Sequence, residues 1–510
     1  MPDVTEGLIS AAGRETGPGR DPMGLPFQIE LSLAPLIAFW TRTSAREGSA
    51  KAALARIVAE EVRKAPELTG TIGDTSSLAT HRELVEVLMA AAFPPAAWEQ
   101  AYGAAMAPFQ LRGFYATPPT RRLLMSGDGT LQGRINLEDG MIRAMRLAHA
   151  YAIILRRVYG LELEVDYHYP IILTVADPGT GLERHFRLLF DAQFVDVEVV
   201  GEVPPLTDAV KGGLHARLLL DPEQLRQVLP PERFVLRGLT ILKAVEVTEQ
   251  EVLSALKRDL IDRESIVSDT RFLGLQDRLR TLFRRPELHL GLAALDGDRV
   301  LLLNEGGHHE HACIFADSSH HKQSDFAGSI YEQAVRSGQP LIIADLAALP
   351  ARTWVEEEGL RRGVRAKLIA PLRYQDKIIG TLTLASPRPG DFDATHLPRL
   401  AEVLPLFSMA VQRSMEELNS RVQMQIKEKF TAIHPVVEWR FRKAVLDSLE
   451  RHGDGSGLEL EPIVFENVYP LYALSDIRGS STQRELAVHA DLLAQLGLAR
   501  DVIQAAHAAR

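Results

Sequence analysis

GVRAKLIAPLRYQDKIIGTLTLA, residues 363–385, reads as two strands joined by a tight turn. Ala366 to Arg373 and Ile378 to Ala385 are rich in aliphatic residues, and the intervening Tyr374-Gln375-Asp376-Lys377 is polar, so a hairpin is expected. Working outward, Pro340 to Ala344 is another strand and Val355 to Arg361 a helix. Ser329 to Ser337 is a helix ended by Gly338. His289 to Leu295 and Arg299 to Asn304 flank the turn Asp296-Gly297-Asp298 as a second hairpin. An amphipathic helix from Asp269 to Arg285 precedes them and stops at Pro286, and another begins near Ala394. This order describes a sheet with helices packed on it, hence an α+β class.

Three segments agree in order and spacing with one family: Gln339 to Asp345 (QPLIIAD), Gly363 to Leu372 (GVRAKLIAPL) and Ile378 to Leu384 (IIGTLTL). Together they resemble a GAF domain over about 269–418. The resemblance implies a small-molecule sensor or a dimerisation module, and fold alone does not choose between them. The Asn-Lys-x-x-Phe string of cyclic-nucleotide relatives is absent, and Cys313 is followed by Ile314 rather than by the usual His of bilin-binding relatives. Reduction of free methionine sulfoxide by such domains depends on several cysteines, and this chain has one.

The walls of a GAF pocket would come from the sheet face and the insertion before it, which makes Phe315, Phe326, Tyr331, Arg365 and Lys367 the ligand-binding candidates. Arg365 and Lys367 would suit an anion and, by strand alternation, share a face. The pocket side and the solvent side both stay open for that face. The insertion itself carries His308, His309, His311, His320 and His321 near Cys313. Imidazole and thiolate are ligands that zinc or iron accepts, so His308, His309, His311 and Cys313 are the metal candidates; a polar surface loop is the alternative. No cofactor can be named.

The chain has 510 residues, 57 Lys plus Arg against 67 Asp plus Glu, and a net charge of −10. That sign argues against non-specific binding to nucleic acid or anionic membranes. A hydrophobic share of 46 % fits globular domains, and the single cysteine fits a reducing compartment. No run approaches the roughly 18 apolar residues that cross a bilayer. A cytoplasmic location follows as the expectation.

Five regions are expected: a disordered Gly/Pro-rich leader (1–25), a helical domain (26–136), a mixed α/β domain (137–265), the GAF-like domain (269–418) and a C-terminal helical signalling region (419–510). In the second, Leu36 to Trp40, Ala53 to Val62, Leu84 to Ala92 and Ala96 to Met106 carry helical spacing. In the third, a helix from Glu138 to Tyr159 closes at Gly160, and strands follow at Ile171 to Val175, His185 to Phe190, Phe194 to Val200 and Phe234 to Val247. After Ala394 the positions Leu397, Leu400, Leu404, Phe407, Val411, Met415, Leu418 and Val422 form a heptad-like stripe. Such a helix either makes a homodimer or packs back on its own domain, and Pro405 should kink or restart it.

Near the end, Tyr469 to Ser481 (YPLYALSDIRGSS) resembles the first strand and metal loop of class III nucleotide cyclases, with Asp476 as metal ligand. A cyclase needs a second metal-binding Asp and base-contacting residues further on, for which the 34 residues after Asp476 leave too little room. The architecture is similar to uncharacterised bacterial GAF-containing proteins. The expected function is therefore a cytoplasmic signalling or sensory protein, with no catalysis of its own, that takes a small molecule or a protein partner. A cyclase-like enzyme or remnant centred on Asp476 and a histidine-cluster metal sensor are the alternatives.

Overall fold

The computed structural model describes residues 25–44, 49–73, 76–161, 170–207, 222–261, 266, 269–305, 321–429, 437–452, 463 and 480–508. Contacts divide the chain into two units, Met1–Glu251 and Val252–Arg510. Both mix helices with sheets, as the α+β expectation requires. Of the leader expected over 1–25, only Leu25 is described, and it is buried.

The first unit contains β1 (Gln28–Leu31), β2 (Tyr102–Met106), β3 (Gly113–Ala116), β4 (Arg134–Ile135), β5 (Ile171–Ala176), β6 (Glu183–Asp191), β7 (Val195–Val199), β8 (Phe234–Gly238) and β9 (Thr240–Glu246). They form a six-stranded sheet in the order β3-β2-β9-β6-β5-β4 and a three-stranded sheet in the order β1-β8-β7. The expected boundary at 136/137 does not hold, because β2 and β3 pair into the same sheet as β4, β5, β6 and β9. The helix expected over Ala96 to Met106 is a 3₁₀ turn, Pro95–Ala97, followed by β2. Small residues explain the strand: a Cβ on Gly103 would stand 2.2 Å from the Phe93 ring, and Ala104 and Ala105 are fully buried. The run expected as one strand over Phe234 to Val247 breaks at Gly238, whose φ of +140° lets the chain leave one sheet for the other.

The helix Asp139–Tyr159 ends as expected at Gly160, in the left-handed conformation. On it, His149 lies edge-on to Phe109, with ring centroids 5.9 Å apart. Burial, helped by the nearby Arg156, lowers its pKa from 6.5 to about 4. The unfolded chain therefore binds this proton first, and stability should fall as pH drops from 6.5 towards 4. The loss is on the order of 2 kcal/mol, and His149→Phe should flatten it. Urea unfolding followed at several pH values checks this; parallel pH profiles for the two proteins would contradict it.

The second unit is built on β10 (His289–Asp296), β11 (Arg299–Glu305), β12 (His321–Lys322), β13 (Leu341–Ile343), β14 (Ala366–Tyr374) and β15 (Lys377–Ser386). They make one antiparallel sheet in the order β12-β11-β10-β15-β14-β13. The β14–β15 turn places Gln375 (φ 46°) and Asp376 (φ 62°) in the left-handed region, which matches the twist of a tight hairpin. Strand alternation gives the sheet two different faces. Leu290, Leu292, Leu301, Leu368, Leu372, Leu382 and Leu384, each 2 % exposed or less, pack with Phe272, Leu275, Leu279 and Phe283 of the helix Asp269–Phe283 in one core.

The helix Leu397–Lys429 seals that core. Its 33 residues span about 50 Å. Leu400, Phe407, Val411, Leu418 and Val422 of the expected stripe are buried in the same core, so this stripe packs back on its own domain. Of the two outcomes expected at Pro405, a kink or a restart, the restart does not occur: the helix runs on through it. Pro405 removes the amide partner of the Ala401 carbonyl, and both residues are exposed, so water can take that place. Beyond it lie the helices Glu438–His452 and Ser480–Ala508; on the latter, Leu486, Leu493, Leu496 and Ile503 are more than half exposed.

Candidate ligand-binding site

The second face of the sheet is the floor of a cavity of about 1080 Å³. Residues that alternate with the core leucines line it: Gly291 and Ala293 from β10, Val300 and Leu302 from β11, Lys367 from β14, and Thr381, Thr383 and Ala385 from β15. The helices Ile330–Ser337 and Trp354–Arg361 and the segment 321–327 supply the walls.

Three buried polar side chains interrupt an otherwise apolar floor. Lys367 is 6 % exposed, Thr381 5 % and Thr383 8 %. Lys367 Nζ donates to Tyr331 Oη at 3.0 Å and lies 5.1 Å from that ring's centroid. Among the described residues no carboxylate pairs with it, and none hydrogen-bonds to the hydroxyls of Thr381 or Thr383. The pairing register sets Thr383 opposite Ile369 and Ala385 opposite Lys367, so Lys367 and Thr383 are diagonal neighbours on one face.

One wall is aromatic. Phe326 lies 6.1 Å from Tyr331 and 5.9 Å from Trp354 between ring centroids, and His321 lies 5.6 Å from Phe326 and 5.4 Å from Trp354. The Trp354 indole N–H donates to the Asp325 carbonyl at 2.8 Å, which ties the 321–327 segment to the second wall helix.

Glu356, 1 % exposed, joins the two wall helices. Its carboxylate accepts from the Ile330 amide at 2.9 Å, from the Thr353 amide at 2.6 Å and from the Thr353 hydroxyl at 2.5 Å. Burial pushes its pKa up, but these hydrogen bonds outweigh burial and hold it below the ordinary glutamate value.

Of the residues expected at a pocket, Phe326, Tyr331 and Lys367 converge on this cavity. Arg365 does not line it. It precedes the first residue of β14 and makes a two-pronged pair with Asp345, Nε to Oδ1 at 2.9 Å and Nη2 to Oδ2 at 2.7 Å. Arg365 stands one residue before the regular ladder, which begins at Ala366, and does not share the cavity with Lys367. The Arg365 guanidinium and the Ala347 amide keep the Asp345 carboxyl below its usual range. Phe315, His308, His309, His311, Cys313 and Asp476 lie outside the described residues. Sequence reasoning missed Trp354, Glu356, Thr381 and Thr383. The two threonines had a legible signal, a polar residue at every second position between Gly380, Leu382 and Leu384.

Residues 275–412 match the family model of the GAF domain. This part of the chain is a GAF domain, a sensory or ligand-binding type of domain. No curated protein matches the chain. Among solved structures it is similar to a free methionine-R-sulfoxide reductase from Neisseria meningitidis in complex with its substrate, at 19 % identity over 33 % of this chain and 91 % of that one, with a TM-score of 0.26. It is similar to the phycoerythrobilin-bound GAF domain of a cyanobacterial phytochrome, at 16 % identity over 34 % and 98 %, with a TM-score of 0.27. The GAF domain of an Acinetobacter phosphoenolpyruvate-protein phosphotransferase matches at 15 % identity over 33 % and 98 %, with a TM-score of 0.24. Among the described residues no helix is long and apolar enough to cross a membrane.

Proposed function

We propose that this chain is a cytoplasmic sensory protein whose GAF domain binds a small organic molecule and passes the bound state on, without a reaction of its own. The observation that carries this reading is the cavity of about 1080 Å³ on one face of the sheet, with three buried polar side chains on its floor and an aromatic wall. That combination suits recognition: apolar walls supply affinity and a few polar groups set orientation. The long helix Leu397–Lys429, packed on the sheet's other face, is the output element of this proposal.

Native mass spectrometry of the full chain incubated with a small-molecule extract of its host tests the reading. A non-covalent adduct should appear on the wild-type chain and be lost from Thr383→Trp, which fills the cavity. An adduct retained equally by both proteins, or none on either, would overturn it.

A further inference from the structure

We infer that the molecule taken by this cavity is an organic acid carrying a single anionic head, a carboxylate or sulfonate, on a flat or apolar body. This rests on reading the cavity as the ligand site and adds the chemical class. The starting point is Lys367. Removing a cation from water is costly unless an opposite charge replaces the lost hydration. At 6 % exposure Lys367 has only a neutral hydroxyl and a ring face, both from Tyr331, among the described residues. A lysine offers three donors, and Tyr331 takes one. On the opposing helix the residue near its tip is Gly359, where an added Cβ would stand 3.4 Å from Nζ, so no side chain there covers the amine.

The described acidic residues that line the cavity do not answer this charge. Glu358 pairs with Arg361 and Arg362, each at 2.7 Å, Glu332 accepts from the Gly328 amide at 2.7 Å, and Asp298 is exposed. The same survey limits the ligand's charge. Arg362 is tied to Glu358, and Arg336 and Lys322, which also line the cavity, are exposed, so among the described lining residues Lys367 is the one buried cation and matches one negative charge. The hydroxyls of Thr381 and Thr383 extend the polar end across the floor, while Phe326 and Trp354 offer ring surface to the body.

Two dyes of like shape separate head from body: 8-anilinonaphthalene-1-sulfonate, an aryl monoanion, and N-phenyl-1-naphthylamine, its neutral counterpart. Each is titrated by fluorescence against the full chain, and the component lost in Thr383→Trp is assigned to the cavity, which separates it from dye on the exposed Ser480–Ala508 helix. The anionic dye should bind the cavity more tightly than the neutral one. Lys367→Met should weaken the anion about tenfold or more and the neutral dye by less than about threefold, whereas Lys367→Arg should keep the preference for the anion. Equal binding of the two dyes by the wild-type cavity would overturn the acid assignment and leave the ligand-site reading standing. Absence of any cavity component for both dyes would overturn both. The wild-type comparison needs no variant, so a Lys367→Met chain that fails to fold does not remove the test.

Discussion

Gly380→Ala is expected to unfold the GAF domain. The added Cβ would lie 2.1 Å from the Ala293 carbonyl oxygen and 3.1 Å from the Ala294 Cα, both backbone atoms of the adjacent strand β10. β15 is paired on both sides, Gly380 facing Ala294 on β10 and Leu372 on β14, so the strand cannot move aside without breaking a ladder. A loss of about 4 kcal/mol or more is expected, because the clash is with main chain in a central strand rather than with a side chain that can turn away. Thermal unfolding followed by circular dichroism measures it. A variant melting within a degree or two of the wild type would refute the close-approach argument. The same close approach is a physical reason for the glycine in IIGTL, which at the level of sequence served only as part of a resemblance.

Glu356→Ala carries the next largest expected effect, about 3 kcal/mol. It leaves the Ile330 and Thr353 amides and the Thr353 hydroxyl without their acceptor, in a place where the glutamate itself is 1 % exposed. Both helices that wall the cavity begin at these donors, so cavity binding of the dyes should weaken along with stability. The acid dependence follows from the depressed pKa. The carboxylate's contribution is complete above the unfolded value of 4.5 and is lost as pH falls through the lower folded value. Glu356→Gln should therefore melt earlier at neutral pH yet lose less on acidification than the wild type. Equal melting temperatures for wild type and Glu356→Ala at pH 7 would reject the role given to this residue.

Much of the GAF domain was legible because its signals are local. The hairpin turns at 296–298 and 374–377, the glycine after Ser337 and the alternation along 366–385 each act within a few residues, and the structure follows them. Lys367 and Tyr331 were legible as site candidates for the same reason. What the sequence hid depends on partners far along the chain. Tyr102–Met106 is a strand because β9 and β3 flank it, and nothing within residues 96–106 announces those neighbours. Arg365 and Lys367 differ in fate because Asp345, 20 residues earlier than Arg365, captures the guanidinium. The apolar stripe of the Leu397–Lys429 helix had two outlets, its own sheet or a second copy, and only the sheet's leucine face decides between them.

Along β14 the side chains of Ala366, Leu368 and Ala370 belong to the core beneath the long helix, whereas Lys367, interleaved with them, opens on the other side. A single ply of backbone thus serves as both the roof of one compartment and the floor of the other. On the proposed reading, a shift that an occupant imposes on Lys367 would reach residues one peptide away that seat the helix, without a relay of intervening side chains. A molecule arriving at one surface and a lever resting on the reverse would be separated by no more than the thickness of the pleat.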